Sequence, residues 1–197
     1  MTDELLKEKG EISTKENLRE QDVLLATGEQ ITIAKLSMCL SDLGYKAISL
    51  LGWQVPIITD SNYGDANVID IKTDRILKEL KEEKIVIIAG FQGVTRDNNI
   101  TTLGRNGSDT TAIAIAAALE EEECYIFTDT NGVYDKDPYK YKNAKKLDYI
   151  SYEDMEGMAK NGAKVLHDRC VVLAKKYGVK IIVKNTFNDE IGTIVGK

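Results

Sequence analysis

Arg105, Ser108 and Asp109 stand within Thr-Leu-Gly-Arg-Asn-Gly-Ser-Asp-Thr-Thr (102–111), ahead of a block running to Leu119 that is apolar almost all round. A guanidinium, a hydroxyl and a carboxylate at the mouth of a helix-forming segment can bind the charged groups of a small molecule and fix its orientation. Gly104 and Gly107 let a backbone or ligand approach closely. Ser108 or Asp109 is the expected N-cap, its side-chain oxygen taking a free N–H of the first turn. The apolar circumference predicts a helix buried on most sides. A plainer alternative stays open, in which Asp109 only caps the helix and Arg105 only neutralises it.

Three further segments carry groups of this kind. Thr128, Asp129 and Tyr134 fall in the stretch 128–138, directly after an apolar run. A hydroxyl, a carboxylate and an aromatic ring at a strand end suit the phosphates, ribose and base of a nucleotide, although an Asn-Gly turn with solvated charges has the same composition. Gly90-Phe-Gln-Gly93 offers backbone N–H groups that could cradle a phosphate, or is an ordinary tight turn. Asn161–Arg169 is a glycine turn into a helix with Lys164 at its mouth. His167 is the single histidine, expected as a core or helix-mouth side chain. One histidine argues against a histidine metal site or a Ser-His-Asp triad, and no metal site is expected. The chain has no GxxxxGK[ST] loop, no protein-kinase motif set and no GxGxxG after a strand.

The elements that must position these groups follow from the apolar pattern. Residues 1–22 are strongly charged and predict one or two solvated helices, a partly mobile lead-in. Residues 23–43 place Ile33, Leu36, Leu40 and Leu43 at helical spacing, with Gly44 at the C-cap. Short β-rich runs follow at 46–51, 54–59 and 67–71, and Asp74 caps a predicted helix through Lys81. Residues 85–89, 124–128 and 179–184 are continuous apolar strands, the mark of a parallel sheet covered by helices on both faces. Ser151 and Asp154 form a capping box for a helix through Lys160, and Gly178 stops a helix over 166–177. Strands alternating with helices predict a three-layer α/β fold, a mostly parallel sheet between helices.

The totals narrow the class. A length of 197 residues fits one domain over the whole chain. With 26 basic against 32 acidic residues, no basic stripe marks a nucleic-acid partner. Cys39, Cys124 and Cys170 lack CxxC spacing and read as reduced core thiols. No apolar stretch looks long enough to span a bilayer, and the charged N-terminus is unlike a signal peptide. The expected setting is cytoplasmic, with no membrane partner.

Taken together, these motifs resemble the catalytic domain of the aspartate kinases, in the amino acid kinase family. The resemblance covers Thr2 to about Val195. Its most specific stretches are 102–111, 128–134, 150–155 and 162–167, with Thr27-Gly-Glu-Gln30, Gly52-Trp-Gln54 and 89–93 also fitting. It implies an amino acid kinase (carbamate kinase-like) fold and transfer of the ATP γ-phosphoryl group to the β-carboxylate of L-aspartate with Mg²⁺, giving 4-phospho-L-aspartate for lysine, threonine and methionine synthesis. By position, Thr27, Glu29, Arg105 and Ser108 would bind substrate, Glu29 holding the ammonium and Arg105 the α-carboxylate. Arg105 and Asp109 would serve catalysis, Asp109 by orienting a lysine or metal. Thr128, Asp129, Tyr134, Lys164 and Val165 would bind ATP. The resemblance leaves a homo-oligomer open. Glu29, Arg105, Asp109, Asp129 and Lys164 are expected to converge on one cleft.

Three departures qualify the resemblance. The family's opening strand with Lys-Phe-Gly-Gly is not in this sequence, so the chain is expected to lack its lysine. The family's Asp-Pro-Arg is here Asp137-Pro138-Tyr139, leaving Lys136 or Lys140 as point-charge substitutes. The sequence stops about where paired regulatory ACT domains would start. A catalytically incomplete binding or assembly fragment, needing a separate N-terminal segment, is therefore the alternative to an active kinase. A glutamate or uridylate kinase is disfavoured by Thr27-Gly-Glu-Gln30 together with 103–109.

Overall fold

The computed structural model describes residues 2–160 and 166–197. The chain divides into two compact units, Met1–Thr111 and Ala112–Lys197.

The first unit holds helices α1 (Thr2–Ile12), α2 (Leu18–Asp42) and α3 (Asp74–Lys81), with strands β1 (Ala47–Leu50), β2 (Ile57–Thr59), β3 (Val68–Ile71), β4 (Ile85–Ile88), β5 (Gln92–Val94) and β6 (Ile100–Thr102). Asn17 caps α2, its side chain accepting from the Glu20 N–H, and Gly44 follows the last turn at φ 88°. The lead-in expected to be solvated is only partly so, because α2 starts at Leu18 and buries Asp22 completely. Of the four apolar positions at helical spacing, Ile33 is buried and Leu40 partly so. Leu36 and Leu43 are 47% and 68% exposed. Cys39 is exposed as well, so it is not a core thiol. By length and composition α2 also meets the requirements of a bilayer span, contrary to expectation. Its first half nevertheless packs in the unit's interior through Leu25, Ala26 and Gly28.

Two sheets form in this unit. β1 and β4 make a parallel pair, and β3-β2-β5-β6 is a mixed sheet. β4 is less covered than its apolar run predicts: Ile85 is exposed and Val86–Ile88 are half-buried. The predicted phosphate cradle resolves differently. Gln92 and Gly93 are strand residues paired with Thr102 and Thr101. A Cβ on Gly93 would lie 2.5 Å from Thr59 Cγ2 and 2.7 Å from the Ile57 carbonyl, so the glycine there serves close strand approach.

The second unit holds β7 (Glu123–Thr128), β8 (Tyr149–Ser151), α5 (Tyr152–Lys160), α6 (Asp168–Tyr177), β9 (Lys180–Asn185) and β10 (Thr193–Gly196), with most of α4 (Gly107–Ala118), in which the boundary falls. Its sheet runs β7-β9-β10-β8. The register sets Cys124, Ile181, Val195 and Ile150 in one row across all four strands. That row faces a core of Ile113, Tyr152, Met155, Cys170 and Val171. Each large aliphatic buried there stabilises by about 1.5–3 kcal/mol relative to exposure. Half of the capping box forms, the Asp154 N–H donating to Ser151 Oγ (3.1 Å), while Asp154 Oδ2 accepts the Ser151 hydroxyl (2.7 Å) in place of the Ser151 N–H. Gly178, at φ 73°, ends α6. Over the described residues four of the seven strand ladders are parallel.

Candidate functional site

In the first unit distant chain segments are cross-linked by buried polar groups. Asp22, wholly buried on α2, accepts the Gly64 N–H (2.9 Å) and the Thr102 N–H (2.9 Å) on Oδ2 and the Thr102 hydroxyl (2.7 Å) on Oδ1. Burial pushes its carboxyl pKa up, and the Thr102 hydroxyl and the two backbone donors pull it part of the way back. Gln92, also wholly buried, donates to the Ala26 carbonyl (3.1 Å) and accepts the Gly52 N–H (3.4 Å). The Phe91 N–H donates to Thr111 Oγ1 (3.0 Å), and the Leu103 N–H to the Phe91 carbonyl (2.8 Å). The N-terminal part of α2, the Gly52 turn, the Gly90–Gln92 stretch and the start of α4 are thereby joined. Neither Asp22 nor Gln92 was singled out from sequence. Asp22 lies in a charged stretch, and Gln92 sits inside the misread glycine turn.

The predicted substrate residues lie on these joined segments. Thr27 and Glu29 sit on α2, where the Thr27 hydroxyl donates to the Leu24 carbonyl (2.7 Å). Glu29 is half-buried, has no hydrogen-bond or ion-pair partner among the described residues, and has its pKa raised by burial alone. Leaving a carboxylate desolvated without a cation is costly. Arg105 is exposed and also lacks an ion-pair partner among the described residues. Ser108 packs on Gly90, where an added Cβ would lie 3.0 Å from its own Cβ. Neither Ser108 nor Asp109 is the N-cap. α4 starts at Gly107, so both lie inside the first turn, where an anion such as Asp109 interacts favourably with the helix dipole. The backbone around this turn is unusual: Phe91 and Asn106 have positive φ (66° and 53°), as does Gly104 (75°). Non-glycine residues there carry strain of order 1–3 kcal/mol and cluster at functional sites.

In the second unit Thr128 and Asp129 lie at the carboxyl end of β7, where α/β sheets bind ligands. Thr128 Oγ1 donates to Asp129 Oδ1 (3.2 Å), and the Thr128 carbonyl accepts from the Thr186 N–H and hydroxyl. Tyr134 is half-buried and bridges to Lys146. The loop between them is anchored by Thr193 Oγ1, which accepts the Val133 N–H (2.8 Å) and donates to the Leu147 carbonyl. Of the two substitute lysines, Lys140 pairs with Asp137 (3.6 Å) and Lys136 stands over the Tyr141 ring. His167 is the N-cap of α6, its Nδ1 lying 2.9 Å from Asp168 Oδ1. Lys164 and Val165 lie outside the described residues.

Comparison with known proteins places the chain in a family. The model of the amino acid kinase family matches residues 1–185. The chain belongs to the amino acid kinase family. Among members of the family it is 51% identical to an aspartokinase of Geobacillus stearothermophilus over 98% of its length, and 50% identical to one of Bacillus sp. strain MGA3 over the same share. It spans about half the length of these curated relatives, 48% and 47%. Among solved structures, aspartate kinase from Synechocystis superposes with TM-score 0.84 at 42% identity, covering 99% of this chain and 32% of that one. Aspartokinase III of E. coli, solved with aspartate and ADP, gives 0.88 at 28%, covering 99% and 44%. UMP kinase of Ureaplasma parvum, at 21% identity and 0.69, shares the fold.

Proposed function

We propose that this chain carries out the aspartate kinase reaction, moving the γ-phosphoryl group of ATP to the β-carboxylate of L-aspartate. The observation that carries this reading is Glu29, a half-buried carboxylate with no partner among the described residues. It sits on a helix bonded to the strand that leads to Arg105, which has no ion-pair partner among the described residues. An amino acid presents an ammonium and a carboxylate on one carbon, and a carboxylate with a guanidinium is the matching pair of ligands. The aspartokinase relatives support the choice of amino acid, and the E. coli complex supports nucleotide use.

In this reading Glu29 takes the ammonium, Arg105 the α-carboxylate, and Thr27 and Ser108 complete the substrate contacts, leaving the β-carboxylate free to attack. Thr128, Asp129 and Tyr134, with Lys164 and Val165, hold ATP. Phosphoryl transfer needs positioning and charge neutralisation more than covalent catalysis. Mg²⁺ would supply charge neutralisation on the phosphates, and Asp109, in the first turn of α4, is the residue assigned to orient it or a lysine. The whole chain acts as one catalytic domain in the cytoplasm, at the head of lysine synthesis, and self-association is compatible with this assignment.

Hydroxylamine trapping tests it. With ATP, Mg²⁺ and L-aspartate the chain should form aspartyl hydroxamate. Absence of hydroxamate together with absence of L-aspartate binding by calorimetry would refute the proposal. A second reading, a binding fragment completed by a separate strand-bearing segment, is favoured by the β1–β4 pair. Two-stranded sheets are marginal alone, and this one leaves Ile85 exposed. Aspartate binding without turnover, with turnover appearing once a Lys-Phe-Gly-Gly strand peptide is added, would select it.

A further inference from the structure

Asp22 is the one wholly buried carboxylate on α2, and nothing in the proposed chemistry uses it. All three groups bonded to it are donors: the N–H groups of Gly64 and Thr102 and the Thr102 hydroxyl. An ionised carboxylate accepts only, so it satisfies all three. Those donors come from two segments that also bond to each other, the Ala66 N–H donating to the Thr102 carbonyl (2.9 Å). At Gly104 an added Cβ would lie 2.4 Å from Asp65 Oδ1. The 64–66 turn and the end of β6 thus form one ledge, and Asp22 fastens α2 to it.

The placement along the chain gives this clamp its meaning. Glu29 lies seven residues after Asp22, about 10.5 Å along the helix axis and ~20° around it, hence on the same face. Arg105 lies three residues after Thr102. A residue that locks α2 to Thr102 therefore sets where Glu29 stands relative to Arg105.

Resting on the functional reading above, we propose that Asp22 is a positioning residue that fixes the spacing of Glu29 and Arg105, so that the two can grip the ammonium and α-carboxylate of one amino acid together. The required precision is that of a single α-carbon's substituents, and a displacement near 1 Å is enough to lose the two-point grip.

The test compares L-aspartate with succinate, which lacks the ammonium, and β-alanine, which lacks the α-carboxylate, by calorimetry on the 197-residue chain. The wild type should bind L-aspartate at least about ten-fold more tightly than either, one charge-assisted contact being lost in each. In Asp22→Ala the preference should collapse to within about three-fold, while ADP affinity stays unchanged. Asp22→Asn should restore it, because its carbonyl can take both N–H groups while its amide donates to the Thr102 hydroxyl. If Asp22→Ala does not fold, Thr102→Val removes one of the three bonds and should lower the preference part of the way. An Asp22→Ala or Thr102→Val chain that loses aspartate and ADP affinity alike, or keeps the wild-type preference, overturns the positioning role alone. A wild-type chain with no preference for L-aspartate overturns the functional reading as well.

Discussion

Replacing Glu29 by Gln is the perturbation that separates a ligand carboxylate from a structural one. Glutamine keeps the size and removes the charge. A hydrogen bond to a charged group contributes about 1.5–3 kcal/mol, so L-aspartate affinity should fall between about ten-fold and 150-fold. The pH dependence sharpens the test. Burial raises the Glu29 pKa above its ordinary 4.5 in the free chain, and the substrate ammonium favours the ionised form, lowering it again in the complex. Affinity should therefore be full at neutral pH and decline on acidification, starting above pH 4.5, whereas the Gln variant should show no such decline. Stability should move the opposite way. A carboxyl with a raised folded pKa costs stability at every pH above that pKa, so Glu29→Gln should raise Tm at neutral pH while weakening binding. Calorimetric titration at several pH values with thermal unfolding reads both. A variant that binds as the wild type does, or that loses binding and Tm together, refutes the reasoning.

Other perturbations test the scaffold. Gly93→Ala should destabilise the first unit by about 1–3 kcal/mol, because its Cβ meets Thr59 and the Ile57 carbonyl; denaturant unfolding measures it. Thr193→Val leaves the buried Val133 N–H without its acceptor. It should cost about 1–3 kcal/mol and weaken ADP binding more than L-aspartate binding, both by calorimetry. Glu79, whose side chain is 4% exposed, has its pKa lowered by Lys84 and then Arg75. Its contribution is present above pH 4.5 and lost as pH falls through the depressed folded value. Glu79→Gln should lower Tm at pH 7 and flatten the acid side of the Tm–pH profile.

What the sequence made legible is what is set locally. The Ser151 cap on the Asp154 N–H, the Gly44 and Gly178 helix stops and the strand at 124–128 depend on residues within a few positions of each other, and all formed. Burial depends on what the chain brings from elsewhere, and there the pattern misled. Asp22 sits among charges at 16–22, yet it is buried because Thr102 and Gly64, 80 and 42 residues on, supply its donors. Cys39 and Leu36 lie in an apolar run, yet beyond Ile33 no residue of α2 is buried. Gly93 has the composition of a phosphate turn, but the close approach of β2 is what excludes a side chain there. Ser108 and Asp109 have cap chemistry, but α4 begins earlier, at Gly107, beside the positive-φ Asn106. The candidate site was legible as residue types in family order. The polar clamp that joins its segments was not.

The most direct measurement is a crystal structure of the chain soaked with L-aspartate. The account predicts the ammonium on the Glu29 carboxylate and the α-carboxylate on the Arg105 guanidinium, with the Asp22–Thr102 bonds intact. An aspartate bound elsewhere, or held with its β-carboxylate on Arg105, would contradict it.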